Sequence, residues 1–230
     1  MKARIVLSCE HAGNEVPPEY RPLFAGDPEV LETHRGYDIG IAPVAEKLRR
    51  RMDCPLVQYR WTRLLIDPNR TVEKSLFSEF SRTLPDDEKA RLTRHYYAPY
   101  HARLDRLIGD ADTLHLSLHS FTPVFNGKER KADLGILFDP ARPREAVFST
   151  ALQHELKTAT GLRVFRNYPY RGTADGTTTR LRKQLGAHRY LGIEIEISQA
   201  LLSPADSAAA SRLPRLLADS IAAAAQVLAD

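Results

Sequence analysis

Ala3-Arg4-Ile5-Val6-Leu7-Ser8-Cys9-Glu10-His11-Ala12-Gly13-Asn14 is an aliphatic run that stops at an acid, an imidazole and two small residues. Ala3 to Leu7 reads as a short strand buried on both faces, and the chain must turn just after His11. A strand that ends this way puts polar side chains at the carboxyl edge of a sheet, where open α/β folds bind their ligands. A histidine that merely caps a strand end would look the same in isolation. The decision rests on whether other strands end alike.

Two do. Thr113 to His119 alternates Leu114, Leu116 and Leu118 on one face with His115, Ser117 and His119 on the other, and runs into His119-Ser120-Phe121-Thr122-Pro123. Tyr190 to Ile197 alternates Ile193, Ile195 and Ile197 with Glu194 and Glu196. Carboxylates within a buried strand need a cation or proton donors, because a lone charge is costly to bury; an exposed edge strand would remove the need. Asp133 to Phe138 and Leu162 to Phe165 read as further short strands. Pro55 to Tyr59 and Arg63 to Ile66 read as extended pieces leading into a turn, Asp67-Pro68-Asn69-Arg70.

Helical stripes separate these runs. One extends from Asp38, placed as an N-cap, to about Met52. A longer one starts at Pro85 and reaches Ile108, with a kink expected at Pro99 and His101 on the buried stripe. Others lie near Arg144 to Thr158 and from Pro214 to Leu228. The Gly- and Thr-rich residues 173–179 read as an irregular loop suited to covering a site. This alternation, free of linkers and repeats, predicts a single three-layer α/β domain over residues 1–230.

Composition narrows the function classes. With 230 residues and 43% hydrophobic content, one substantial core is affordable. No apolar run approaches the ~20 residues of a membrane span, and Met1-Lys2-Ala3-Arg4 does not open a signal peptide. Two cysteines, Cys9 and Cys54, fit reduced thiols and a cytoplasmic location. The net charge of +4 comes from scattered basic residues without aromatic interleaving, which speaks against nucleic acid as a partner. Oligomeric state is not encoded in any of these features.

Three strand ends thus supply His11, His119 and the Glu194/Glu196 pair, with Asp38 at a helix start. Two imidazoles and a carboxylate, with a position left for water, make the donor set of a catalytic zinc site. A further carboxylate alongside could move the proton of that water. The chain lacks a helical His-Glu-x-x-His motif, so such a site would be assembled from distant segments.

In this order, His11-Ala12-Gly13-Asn14, Asp67-Pro68-Asn69-Arg70, His119-Ser120, Asn167-Tyr168-Pro169-Tyr170 and Glu194-Ile195-Glu196-Ile197 resemble the N-formylglutamate amidohydrolase family, over about Val6 to Leu202. That family is similar, more distantly, to zinc carboxypeptidases and aspartoacylase-type deacylases. The resemblance implies a mixed, roughly eight-stranded sheet between helices. It also implies one Zn2+ at the sheet's carboxyl edge, held by His11 and His119. For the third ligand it points to Asp38, matching the family's Asp-Ile-Gly segment; Glu15, one place from where relatives with His-x-x-Glu have their glutamate, is the alternative. Glu196 matches the catalytic base, with Glu194 its competitor under an aspartoacylase-like alignment. Asn69 and Arg70 resemble the pair that grips the substrate carboxylate, a bidentate role that guanidinium suits. Arg63 is a candidate for polarising the scissile carbonyl, and Arg171 for reading the far end of an acidic substrate. The implied activity is hydrolysis of a small anionic N-acyl amino acid. A metal-dependent carboxypeptidase, a peptidoglycan amidase or a non-catalytic anion-binding module are the alternatives.

Overall fold

The computed structural model describes residues 4–72, 75–109, 111–203 and 207–228. The first strand, β1, spans Arg4–Cys9; Ala3, assigned to it above, lies outside the described residues. Two 3-10 segments, Pro18–Phe24 and Pro28–Glu32, fill the Pro-rich stretch and lead to α1, Ile41–Met52. The N-cap of α1 is Gly40, at φ 81°, rather than Asp38, which leaves the aspartate free for another use. β2 is Leu56–Gln58. Arg63 to Ile66, expected to be extended, forms a turn closed by Leu65 N–H on the Thr62 carbonyl, and that turn redirects Arg63 towards β1.

The long helix from Pro85 comprises α2, Asp86–Leu92, a π-helical turn, Thr93–Tyr97, and α3, Ala98–Ile108. Pro99 has no N–H to give to the preceding turn, and the wider π-turn sits just upstream, where that lost bond would be felt. Next come β3, Thr113–Phe121, the short strands β4, Val124–Phe125, and β5, Lys128–Glu129, and then β6, Leu134–Leu137. The remainder is α4, Pro143–Thr160; β7, Val164–Arg166; α5, Thr177–Gln184; β8, Tyr190–Ser198; and α6, Ser207–Ala224. The last three residues of the expected loop at 173–179 are therefore the start of α5.

The mixed sheet between helices is present, with six strands in the order β2-β1-β3-β8-β6-β7; β4 and β5 form a separate hairpin. Within the six-stranded sheet all pairs are parallel except β6 with β8. Strand β8 is thus interior, so the exposed-edge explanation for its glutamates fails. Period-two alternation sorts the side chains. Leu7, Leu116, Ile195 and their neighbours pack with α1, α4 and α6 in one core. Val6 and Tyr190 face the other core, beside Leu104 and Ile108 of α3. Ser8, Ser117, His119 and the two glutamates share that second face and converge at its carboxyl edge. No described helix is long and apolar enough to cross a membrane.

Candidate active site

Parallel register aligns the three strand ends. Ser8 lies opposite Ser117, Ser117 opposite Glu194, and His119 opposite Glu196. Asp38 is drawn in by its own backbone N–H, which donates to the His11 carbonyl at 3.0 Å. Gly135 of β6 lies opposite Glu196 across the antiparallel pair. A Cβ there would stand 2.1 Å from the Tyr168 carbonyl oxygen and 3.1 Å from Glu196 Cβ, so only glycine lets the 168 segment close over the glutamate.

All nine residues expected at the site line one cavity of about 320 Å³: His11, Asp38 and His119; Glu194 and Glu196; Arg63, Asn69, Arg70 and Arg171. Larger grooves occur elsewhere, at about 510 Å³ beside His101 and Arg180 and about 670 Å³ beside Arg103 and Arg106. Among the described residues, neither contains a cluster of metal donors. Glu15 is outside the cavity; it pairs with Arg60 on the surface, its side chain 55% exposed. His101 is buried, as its place on the stripe implied.

The donor set is tight. One ligand atom from each of His11, Asp38 and His119 lies within 4.8 Å of the others, and all three residues are buried. Asp38 Oδ2 is 2.9 Å from His119 Nδ1 and accepts the Ser120 backbone N–H at 3.1 Å, while Oδ1 is 3.6 Å from His11 Nδ1. Arg63 presents its guanidinium to the same atoms, 3.0 Å from His11 Nδ1 and 3.2 Å from Asp38 Oδ1. Here the guanidinium is the cation answering those lone pairs. Burial alone would push the Asp38 carboxyl up, but Arg63 and the two imidazoles hold it well below the usual range. Burial would likewise lower His119, yet the bond to Asp38, with the charges of Glu10 and Glu196, raises it to about 10.

Asp67, read above only as part of a turn, accepts from His11 Nε2 at 2.8 Å and is held at about 2 despite its burial by His11, Arg63 and the Asn69 N–H. It fixes the ring from behind, a partner that metal-ligating histidines commonly have. Its partner is 56 positions away in sequence, and Asp-Pro-Asn is ordinary turn chemistry, so its role left no local trace. Asn69 uses its side-chain oxygen on the Thr177 N–H, tying the start of α5 to the site. Arg70 is half exposed beside Asp67 and the Asp175 carbonyl.

The glutamates differ. Glu194 takes a hydrogen bond from the Thr178 hydroxyl. Glu196 keeps one buried oxygen, Oε2, without any partner among the described residues. Burial, with Asp38 and Glu194 adding to it and His119 opposing, raises Glu196 to about 7; Glu194 is raised too, again by burial first. Two imidazoles, an ionised carboxylate and an unpaired buried oxygen form a set that suits a divalent cation with oxygen and nitrogen preference. The residues fit zinc.

Comparison with known proteins follows the same lines. The sequence model of the N-formylglutamate amidohydrolase family matches residues 3–203. No curated protein matches. Among solved structures, a gene product of Agrobacterium tumefaciens is similar over 100% of this chain and 93% of its own, with 28% identity and a TM-score of 0.82. An N-formylglutamate amidohydrolase from Ralstonia eutropha is similar over 100% and 95%, with 21% identity and a TM-score of 0.70. A family match over nearly the whole chain shows that the chain belongs to the N-formylglutamate amidohydrolase family.

Proposed function

We propose that the chain is a zinc-dependent amidohydrolase that removes a formyl-type N-acyl group from an amino acid such as glutamate. The observation that carries this is the meeting of the His11–Asp38–His119 donor set with the unpaired Oε2 of Glu196. His11, Asp38 and His119 would hold the ion, which when bound supplies Lewis acidity towards a carbonyl oxygen and a water.

The chain's own groups do the rest. Glu196, buried with one oxygen free, is placed to take a proton from water and return it to the leaving amine. Glu194 is engaged by Thr178 and contributes negative charge that keeps its neighbour basic. Arg63, once its lone-pair partners are taken by a metal, is free to polarise the scissile carbonyl. Asn69 and Arg70 orient the substrate's α-carboxylate, and Arg171 reads an acidic side chain at the far wall. Five carboxylates in the cavity lining, of Asp38, Asp67, Asp175, Glu194 and Glu196, would oppose simple anion capture and favour a cation-dependent reaction.

The test is a zinc-loaded protein offered N-formyl, N-acetyl and N-succinyl amino acids, their α-amides, and small muropeptides. Hydrolysis confined to substrates with a free α-carboxylate supports the proposal. Turnover of muropeptides alone would favour a peptidoglycan amidase. Absence of bound zinc after metal-replete expression, with no activation by added zinc, would remove the mechanism. Glu196→Gln should retain zinc and lose ~10²–10⁴ in turnover.

A further inference from the structure

Glu10 precedes His11 yet lies outside the cavity lining, with 0% of its surface exposed. A buried carboxylate must be satisfied by donors, and this one is surrounded by them. Oε1 accepts from the Ser8 hydroxyl at 2.7 Å and the Tyr100 hydroxyl at 2.9 Å. Oε2 accepts from the Ser117 hydroxyl at 2.7 Å and lies 3.4 Å from His119 Nε2.

Proton counting then fixes the directions. A serine hydroxyl has one proton, and an ionised carboxylate has none to give. Ser117 spends its proton on Glu10, so towards His119 Nε2, 2.9 Å away, it can only accept. Nε2 therefore carries the hydrogen, and the lone pair of the neutral ring falls on Nδ1. That nitrogen faces Asp38 Oδ2 at 2.9 Å: it donates there while the ring is protonated, and once that proton leaves it offers its lone pair beside the carboxylate, where a cation can take both. The same rule runs the other way from Glu10. Ser8 gives its proton to Oε1, His115 Nε2 donates to Ser8 at 2.7 Å, and the Tyr190 hydroxyl donates to His115 Nδ1 at 2.7 Å. Both arms point their protons at Glu10, but only the Ser117 arm ends at the site.

We propose that Glu10 is a positioning residue: acting through Ser117, it holds His119 as the Nε2–H tautomer and so presents Nδ1 as the metal-ligating atom. This rests on the metal-site reading above. Asp67 does the equivalent for His11 by direct contact, so each imidazole is backed by a carboxylate on the side away from the centre. Glu10→Gln puts a donor where the network needs an acceptor. If the amide N–H faces Ser117, that hydroxyl must reverse and donate to Nε2, which leaves an N–H on Nδ1 aimed at the metal donors.

The experiment reads the tautomer in the unmutated protein. With ¹⁵N-labelled histidine and zinc bound, long-range ¹H–¹⁵N correlation, assigned by the His119→Gln variant, should show His119 protonated at Nε2 and metal-shifted at Nδ1. A His119 bound through Nε2, or carrying its proton on Nδ1, overturns the proposal while leaving the metal site intact. Zinc that perturbs no histidine resonance overturns the metal reading and this proposal with it. In the second arm, Glu10→Gln should lower zinc affinity ~10–100-fold by chelator competition. Ser117→Ala, which leaves Glu10 Oε2 beside Nε2, should lower it less. Unchanged zinc affinity in a folded Glu10→Gln protein also overturns it; should that variant not fold, the wild-type spectrum decides.

Discussion

Replacing Glu196 with glutamine should make the metal-free protein more stable at neutral pH, while disabling the chemistry proposed for it. In the unfolded chain this carboxyl titrates at its ordinary value of 4.5; in the folded protein burial first, then Asp38 and Glu194, raise it to about 7. Folded protein thus retains a proton that the unfolded chain has lost, so stability falls as pH rises from 4.5 through 7 and stays low above that. At ~1.4 kcal/mol per pH unit, the deficit is on the order of 3 kcal/mol at pH 8. The glutamine carries no charge and leaves a neutral group where the partnerless Oε2 now sits. Urea unfolding of both proteins, freed of metal with a chelator, at half-unit steps from pH 5 to 8 would give the difference directly. The advantage of the variant should be near zero at the acid end and reach ~2–3 kcal/mol at pH 8. Zinc should then reverse the order, since a cation beside Glu196 favours its ionised form. A difference that does not change with pH, or a variant less stable than wild type at pH 8, would refute the reasoning.

Other outcomes follow from the same geometry. Because His119 holds a proton up to about pH 10 in the metal-free site, zinc loading at pH 7.5 should release about one proton, and affinity should rise with pH; calorimetry in buffers of different ionisation enthalpy checks this. Asp67→Asn should weaken zinc binding ~10–100-fold, measured by chelator competition, because the amide no longer compels His11 Nε2 to donate. Gly135→Ala should destabilise by at least ~1–3 kcal/mol in urea and depress turnover, as the added methyl meets the Tyr168 carbonyl and Glu196.

Much of the site was legible because strand periodicity is strict. Once Leu114, Leu116 and Leu118 are assigned inward, His119 must face the other way, and Glu194 and Glu196 must share its side. Asp38 was legible as a residue but not as a position, since it matched an N-cap until Gly40 took that place. Glu10, Ser117 and Asp67 were on the page without roles. Glu10 and Ser117 partner each other across 107 positions and Asp67 reaches His11 across 56, and no local pattern encodes which proton a serine gives to which acceptor. The alternation Ser8, Glu10 against His115, Ser117, His119 was the one available signal: two neighbouring strands with polar residues on the same face. The turn at 63–66 was misjudged because its β-branched and aliphatic residues serve a buried loop rather than a strand.

The face that carries the polar groups has a consequence for how the chain finds its fold. A strand slipped by one residue exchanges its two faces. For β3 or β8 such a slip would drive His119, Glu194 or Glu196 into the aliphatic layer against α1, α4 and α6, and bring leucines or isoleucines to the cavity edge. In an all-aliphatic strand the same slip would be nearly silent. The polar edge therefore doubles as an alignment mark for the central strands. Variants that neutralise it, such as a combined Glu194→Gln and Glu196→Gln, should refold with less faithful pairing even where the correctly folded product is more stable.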